Sequence, residues 1–352
     1  MTFWEHQPVQ KVRIPLEIGT IIQLTDLDLK PQNIEGFNCT ILDLNDEVQL
    51  TELHLLLLHH YVSHSQSGIK LNYSKEFIKW SLMIPGYNKE FHIALRDLKT
   101  NSMIGFIGGV PIHCEICTLK LKIMSVNFLC LHKNVRNIGL APKLINHLVW
   151  KMSRCNIHQA IYTGGKEIHM PLLESRYHYR TLNSLEYKSG ASKLRSLELK
   201  DCDQVLLLLT NFMGKYKLKH VFSIHDIIHL CKAQNHPNPF LFSYVQEDEN
   251  QEIKSFISFY SLPLSVTYFK PVYLYYYAYT DNEVSNLSDM IHDAMHLAKS
   301  LGFDSFNVLD VMDTHLVLQS LKFQKSDQVL KYFCYNFQSH ILNPNQCGLL
   351  IP

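Results

Sequence analysis

The chain has 352 residues, with 33 Lys and Arg against 32 Asp and Glu, and a formal net charge of +1. A hydrophobic content of 46% is that of an ordinary globular protein, and the length suggests about two domains. The balanced charge gives no general field that would attract nucleic acid, so any polyanionic ligand must be bound locally by one loop.

Targeting signals are missing from the sequence pattern. The apolar runs at 53–62 and 205–210 are far shorter than the roughly 20 residues that a membrane-spanning helix needs. Residues 1–16 lack the long apolar core of a secretory signal, and the nine cysteines follow no disulfide framework. We therefore expect a cytoplasmic protein with reduced thiols and no stable membrane insertion.

The first half of the chain predicts a strand–helix–strand unit. Residues 91–112 have the pattern strand, polar turn, strand, and residues 123–131 form a buried strand. Residues 158–163 predict the closing strand of the unit. The helix between them, 140–153, carries apolar residues at helical spacing, namely Leu140, Leu144, Ile145, Leu148 and Val149.

The second half repeats this order. A strand–turn–strand segment, an aromatic strand, a helix and a further strand are predicted at 239–263, 273–280, 284–302 and 304–311. We expect Ser285 or Asn286 to cap the helix and Gly302 to end it. The polar stretch 185–196 is the best boundary between the halves. The repeated order indicates a duplicated α/β unit.

The turn at Arg136–Ala141 is a candidate phosphate site. A helix N-terminus after a strand presents unpaired N–H groups and partial positive charge to an anion. Gly139 permits close approach of a ligand, and Arg136 and Lys133 can pair with phosphate oxygens. The R-x-x-G-x-A string resembles the pyrophosphate loop of acetyltransferases that use acetyl-CoA. The alternative is a plain turn with solvated charges.

Several separated motifs, in chain order, together resemble the N-myristoyltransferases, the enzymes that acylate N-terminal glycine. The resemblance covers nearly the whole chain, at residues 3–9, 36–46, 73–82, 126–145, 159–165, 176–183, 256–263, 298–313, 321–324 and 347–352. It implies two acetyltransferase-like halves related by a pseudo-twofold, each a mixed twisted sheet flanked by helices. Residues 1–190 would hold the acyl-CoA, and residues 191–352 would form most of the peptide site.

The resemblance also implies the ligands. Myristoyl-CoA would be the acyl donor, proteins that begin with glycine the acceptors, and the enzyme a monomer without a metal. The residues implied to contact the acyl-CoA are Thr2, Phe3, Trp4, Phe128, Leu129, Cys130, Leu131, Arg136, Asn137, Ile138, Gly139, Leu140, Ala141 and Pro142.

Acyl transfer to an amine needs an oxyanion hole and a base. The resemblance implies the backbone N–H groups of Phe128 and Leu129 for the hole, freed by a β-bulge. It implies the α-carboxylate of Pro352 as the base, although a free α-carboxyl has a pKa near 3.5. Asn127 and Thr163 would orient the glycine amine. Their alternative roles are a strand-end hydrogen bond and a β-branched strand residue.

The implied peptide site departs most from the family pattern. Its residues would be Tyr61, Tyr73, Tyr162, Tyr179 and Leu264, of which Tyr179 stands for a histidine and Leu264 for a serine. The family's acidic cluster falls on 61–73, which contains no carboxylate and has His64 instead. We therefore expect a weakened preference for basic peptides. Ile138 and Gly139 likewise replace two basic residues of the phosphate loop.

Two cysteine motifs in the sequence suggest other chemistries. Cys114 and Cys117 have the spacing of a zinc half-site or a redox pair, but no second C-x-x-C follows. Cys130 and His132, two residues apart on a strand, would share a face and suggest a Cys–His nucleophile.

Three functions stay open: an N-myristoyltransferase, an N-acyltransferase with a drifted lipid or peptide preference, and a catalytically weak acyl-CoA-binding protein.

Overall fold

The computed structural model describes residues 3–13, 19–22, 31, 33–61, 70–185, 192–265, 268–281 and 283–352. Thr2 and His64, both named from the sequence, lie outside these ranges. In the described part of the chain, no helix is long and apolar enough to cross a membrane. The helices are α1 (Glu47–His60), α2 (Lys75–Leu82), α3 (Leu140–Ser153), α4 (Cys202–Met213), α5 (Ile224–Gln234) and α6 (Val284–Ser300).

The strands form one mixed sheet. They are β1 (Phe37–Ile41), β2 (His92–Asp97), β3 (Met103–Ile116), β4 (Leu119–Leu131), β5 (Ala160–Gly164), β6 (Leu173–Thr181), β7 (Arg195–Ser196), β8 (Leu218–His220), β9 (Leu241–Glu247), β10 (Ile253–Ser261), β11 (Pro271–Tyr279), β12 (Ser305–Leu309), β13 (Gln324–Tyr335) and β14 (Cys347–Gly348). Their order is β1-β2-β3-β4-β5-β13-β6-β12-β11-β10-β9-β7, and β8 pairs with β3 and β14 beside this path.

This strand order is its own mirror image. Strands β1, β2, β3, β4, β5 and β6 of the first half correspond to β7, β9, β10, β11, β12 and β13 of the second. If each strand is replaced by its counterpart, the same order is obtained in reverse. The two matching parallel pairs, β4–β5 and β11–β12, are each joined by a helix, α3 and α6. The α/β duplication predicted from the sequence is therefore confirmed. The last strands are exchanged, since β13 lies between β5 and β6.

The predicted elements agree with the structure in kind, and helix α3 agrees also in its bounds. Four of its five spaced apolar residues are buried, and Ile145 is half-buried. Strand β4 begins at Leu119, earlier than predicted. Its first residues pair with the end of β3 in a hairpin, where the side chains of Lys120 and Lys122 alternate into solvent.

The two ends of α6 differ in how well the sequence predicted them. The capping prediction for Ser285 or Asn286 is wrong, because the helix begins at Val284 and Glu283 is the N-cap residue. The Ser285 hydroxyl instead donates to the Glu283 carboxylate at 3.3 Å. Gly302 does end the helix, with a φ of 81° that favours glycine.

Apolar packing continues across the two predicted halves. One large cluster contains Phe77 and Phe106 from the first half together with Phe256 and Phe259 from the second. A smaller cluster packs α3 against the sheet on its opposite face. The predicted boundary near residue 190 stays a prediction, and residues 186–191 lie outside the described ranges.

Candidate active site

Strand β4 is interrupted by a bulge at the residues implied to form the oxyanion hole. Asn127 pairs with Gly108 and Cys130 with Phe106, so Phe128 and Leu129 together face the single residue Ile107. Phe128 has a φ of 58°, the left-handed conformation that costs a non-glycine residue roughly 1–2 kcal/mol. Such a bulge disrupts the ladder and redirects backbone amides.

The Phe128 amide reaches a side-chain oxygen. Burial raises the pKa of Tyr61 to about 12, and a hydrogen bond from the Phe128 backbone N–H to the phenol opposes that rise. The Phe128 ring packs edge-on against Tyr61 and Tyr73, with ring centroids 5.6 and 5.1 Å apart. Two residues implied for the peptide site, Tyr61 and Tyr73, therefore lie directly at the bulge.

The implied phosphate loop is an exposed turn that follows β4. Lys133, Arg136 and Ile138 are exposed, and Gly139 caps α3 in a left-handed conformation with a φ of 79°. The Arg136 Nε donates to the Leu131 carbonyl at 3.2 Å, and its Nη2 donates to the His60 carbonyl. The first N–H groups of α3, at Leu140 and Ala141, have no helical partner, and Pro142 has no N–H. This geometry suits an anion.

A histidine pair that the sequence did not indicate borders this loop. The rings of His60 and His132 lie 3.9 Å apart, and the Lys133 backbone N–H donates to His60 Nδ1 at 3.3 Å. Burial lowers the pKa of His60 to about 4, and the neighbouring cationic groups add to this effect. His60 is therefore neutral near pH 7 unless an anion binds beside it.

Phe3 and Trp4, in the turn Phe3–His6, pack edge-on with ring centroids 5.0 Å apart. Trp4 packs on Tyr162 and His169, with ring centroids 5.9 and 5.2 Å apart. The Tyr162 hydroxyl in turn bonds to His169. The structure thus brings Tyr162, implied for the peptide, together with a residue implied for the acyl-CoA.

A cavity beside Asn127 is lined by residues from both halves of the chain. Asn127 and Pro352 both line it. Asn127 is 8% exposed, and none of the described residues forms a hydrogen bond with its side-chain amide. The remaining walls are mainly apolar, including Trp80, Val110, Ile112, Leu349 and Leu350.

A second cavity, of about 280 Å³, shares a wall with the first. Tyr177, Tyr260 and Tyr273 line it, and burial raises the pKa of each phenol. Tyr73 lies close to these three phenols, and burial likewise raises its pKa. Tyr275, Leu350 and Ile351 line both cavities, so the last residues of the chain lie between them.

Two tyrosines hold this C-terminal run in place. The Tyr276 hydroxyl donates to the Leu350 carbonyl at 3.2 Å and accepts from the Leu350 N–H at 3.0 Å. The Tyr332 hydroxyl donates to the Leu349 carbonyl at 3.1 Å. Gly348 packs so closely that an added Cβ would lie 2.8 Å from Tyr216. Strands β11 and β13, through Tyr276 and Tyr332, thus anchor the wall between the cavities.

The comparisons with known proteins agree with this geometry. Residues 18–174 match the profile of the myristoyl-CoA:protein N-myristoyltransferase N-terminal domain, and residues 170–347 match that of its C-terminal domain. The chain belongs to the N-myristoyltransferase family. It is 32% identical over 385 residues to the probable glycylpeptide N-tetradecanoyltransferase of Caenorhabditis elegans, across 99% of this chain and 85% of that one.

Further N-myristoyltransferase relatives are similar throughout. The Schizosaccharomyces pombe glycylpeptide N-tetradecanoyltransferase is 33% identical, across 95% of this chain and 83% of its own. A crystal structure of Saccharomyces cerevisiae N-myristoyltransferase with bound myristoyl-CoA has a TM-score of 0.89 and 27% identity, over 99% and 91% of the two chains. A GCN5-related N-acetyltransferase from Anabaena variabilis, with a TM-score of 0.55 and 12% identity, shares the fold alone.

Of the implied site residues that the structure describes, only Asn127 and Pro352 line either cavity, so Thr163, Tyr179 and Leu264 line neither. Thr163 lies in β5 opposite Tyr332, and Tyr179 lies in β6 opposite Asn307. Leu264 forms an isolated bridge with Leu71, after the end of β10. Their roles in substrate binding stay predictions.

The cysteines behave as packed side chains. Cys130 is buried with its thiol toward the Leu56 carbonyl, and burial raises its pKa to about 12. Its thiol is therefore protonated near neutral pH, which makes it a poor nucleophile. Cys114 lies in β3 and Cys117 in the hairpin turn that follows. Within the described ranges, no group of three or more His, Cys, Asp or Glu side chains is arranged to hold a metal.

Proposed function

We propose that this chain transfers the acyl group of myristoyl-CoA to the N-terminal glycine amine of proteins. The observation that carries the proposal is that Asn127, the residue directly before the Phe128 bulge, and Pro352 line the same mainly apolar cavity. Its relatives are named glycylpeptide N-tetradecanoyltransferases, and the yeast enzyme binds myristoyl-CoA. No metal enters the proposed chemistry.

The two cavities divide the substrates by their chemistry. The larger cavity suits the acyl chain, because its walls are mainly apolar, as ligand sites for apolar groups are. The tyrosine-lined cavity suits the start of a peptide, whose amides need hydrogen-bond partners. Tyr61 and Tyr73 extend this second site toward the bulge.

The proposed reaction is a direct transfer. The glycine nitrogen attacks the thioester carbon, the C–S bond breaks, and the departing CoA thiolate takes the proton that the attacking nitrogen loses as the amide forms. The N–H groups of Phe128 and Leu129 would stabilise the oxyanion. Asn127 and Thr163 would orient the amine, and the Pro352 carboxylate would take the proton that the ammonium loses.

The remaining assignments follow the same division. Residues 1–190 contribute the bulge and the phosphate loop, and we infer that they hold the acyl-CoA. Residues 191–352 contribute Tyr260, Tyr273 and the C-terminal run, and we infer that they form most of the peptide site. We also propose that the enzyme acts as a cytoplasmic monomer.

The test is CoA release from myristoyl-CoA in the presence of short peptides. Peptides that begin with glycine should support release, and the same peptides beginning with alanine should not. Lysine, neutral or acidic residues further along the peptide test the predicted weak preference for basic substrates. Saturable acyl-CoA binding without glycine-dependent release would contradict a transferase.

A matched pair of variants tests the site. Asn127→Ala should lower kcat by about tenfold or more, because it removes the unpaired amide that faces the cavity. Asn250→Ala makes the same change in an exposed turn and should leave the kinetics unchanged. Equal kcat values for the two variants would remove Asn127 from the proposed mechanism.

A further inference from the structure

One part of the proposed acyl cavity is polar. Most of its wall is apolar, but the side chains of His220, Asp226 and His229 also line it. An unsubstituted alkyl chain offers nothing to such groups, and burying a polar group without a partner is unfavourable. The inference below rests on the proposed function, since it concerns what this cavity accepts.

The polar part lies far from the proposed reaction centre. Asn127 pairs with Gly108 of β3, whereas His220 pairs with Cys114 of the same strand. Six residues of extended strand separate these two levels, which corresponds to about 20 Å. An extended acyl chain with its thioester at Asn127 would therefore direct its far end toward His220.

Two of these three side chains, His229 and Asp226, already have hydrogen-bond partners in the protein. His229 Nε2 bonds to the Trp80 carbonyl at 3.0 Å, and its ring stacks on the indole. One Asp226 carboxylate oxygen accepts from the backbone and the hydroxyl of Ser223, both at 2.7 Å, as the cap of α5. These bonds give both residues a structural role.

His220 is different. Its ring stacks on Phe222 with centroids 4.4 Å apart, and no side chain or backbone group in the described ranges hydrogen-bonds to its nitrogens. Burial lowers the pKa of His220 to about 4, against the opposing effect of Asp226, so the ring is neutral. A neutral imidazole offers one donor and one acceptor to a ligand in the cavity.

We propose that this cavity accepts an acyl chain that carries a hydroxyl group at or near its far end, with His220 as the hydrogen-bond partner. The recognition is a specificity determinant of the proposed acyl donor and takes no part in the transfer itself. A hydroxyl both donates and accepts, so it can satisfy the imidazole in either tautomer.

The test measures equilibrium binding of tetradecanoyl-CoA and ω-hydroxytetradecanoyl-CoA by calorimetry, without peptide. In the wild-type protein the two Kd values should agree within about threefold, because the imidazole compensates the burial of the hydroxyl. Rejection of the hydroxylated chain by more than about tenfold would overturn the proposal without any variant. Tightest binding of unsubstituted dodecanoyl-CoA would also overturn it, because water would then fill the polar end.

Variants sharpen the comparison. His220→Phe keeps the ring contact with Phe222 and removes both nitrogens, so the hydroxylated chain should lose roughly tenfold relative to the unsubstituted one. His147→Phe, made beside Trp150 on α3, is the matched control and should leave the ratio unchanged. An unchanged ratio in folded His220→Phe would overturn the inference. Glycine-dependent CoA release is measured separately, so the inference can fail while the proposed function stands.

Discussion

The substitution Tyr276→Phe removes a single oxygen atom that binds the C-terminal run twice. The phenol donates to the Leu350 carbonyl and accepts from the Leu350 N–H. The ring itself packs edge-on against Phe222, with centroids 4.8 Å apart, and phenylalanine preserves that contact. The change therefore separates hydrogen bonding from packing.

The expected magnitude follows from burial. Leu350 is 8% exposed, so its N–H and C=O would be left largely without water, at a cost of about 2–4 kcal/mol for the two groups. Burial of Leu349 and Leu350 contributes about 3–6 kcal/mol in total. The loss is a large part of what holds the run, so we expect the run to detach locally while the domain stays folded.

Detachment would move Pro352, the proposed base, away from Asn127. We therefore expect kcat for peptide acylation to fall at least about tenfold, while the thermal unfolding midpoint drops by only a few degrees. The rate of CoA release gives kcat and a thermal melt gives the unfolding midpoint, both measured on the same preparation.

Tyr277→Phe is the control for this substitution. The Tyr277 hydroxyl accepts the Asp313 backbone N–H at 2.9 Å and is fully buried, but it does not contact the C-terminal run. Its loss should lower stability by about 1–3 kcal/mol and leave kcat unchanged. Wild-type kcat in Tyr276→Phe, beside a similar loss of stability in both variants, would refute the positioning role.

Three further predictions concern separate residues. Arg136→Gln should raise the Kd for acyl-CoA several-fold at low salt and less at high salt, whereas an unchanged Kd would show that backbone amides bind the phosphates unaided. Cys130→Ala should keep glycine-dependent transfer within about threefold, since burial raises the pKa of the thiol to about 12; inactivity of the folded variant would support covalent catalysis. Burial lowers the pKa of His92 from 6.5 to about 4. The contribution of neutral His92 to the free energy of unfolding is therefore complete above pH 6.5 and is lost as the pH falls toward 4. Urea unfolding of the wild type should lose about 2 kcal/mol more than His92→Gln between pH 7 and pH 5, and equal losses would contradict this.

The local elements of the fold were predictable because their signals are local. Helical spacing and Gly139 located α3, and Gly302 located the end of α6. Helices α1, α2, α4 and α5 were not predicted, although α1 and α5 each carry a readable start. Asp46 caps α1 by accepting from Val48 and Gln49, and Ser223 with Asp226 forms a capping box at α5. The apolar run in α1 hid its helical period.

The sheet order could not be derived from local signals. Strand β13 is placed between β5 and β6 by pairings such as Lys331 with Gly164 and Lys331 with Glu174. These partners lie more than 150 residues apart in the chain. Chain order predicts neighbouring strands well, but an exchanged terminal strand depends on the packing of both halves.

The site was predictable only through the resemblance. Nothing in the run around Phe128 distinguishes a bulge from a regular strand, because a bulge depends on the register of the partner strand. The link between Tyr276 and Leu350 joins residues 74 apart, and the pairing of His60 with His132 joins the end of α1 to the turn after β4. Such contacts arise only once the tertiary structure has formed.

The position of the chain terminus follows from four neighbouring strands. Gly348 of β14 pairs in parallel with Lys219 of β8, and Lys219 pairs in turn with Glu115 of β3. Beyond Gly348 the chain continues in the direction in which β3 runs back from Glu115 toward Gly108, the partner of Asn127. Four extended residues cover about 13 Å of that distance. The sheet therefore directs Pro352, the proposed proton acceptor, toward Asn127 in the first cavity, along the wall shared by both cavities.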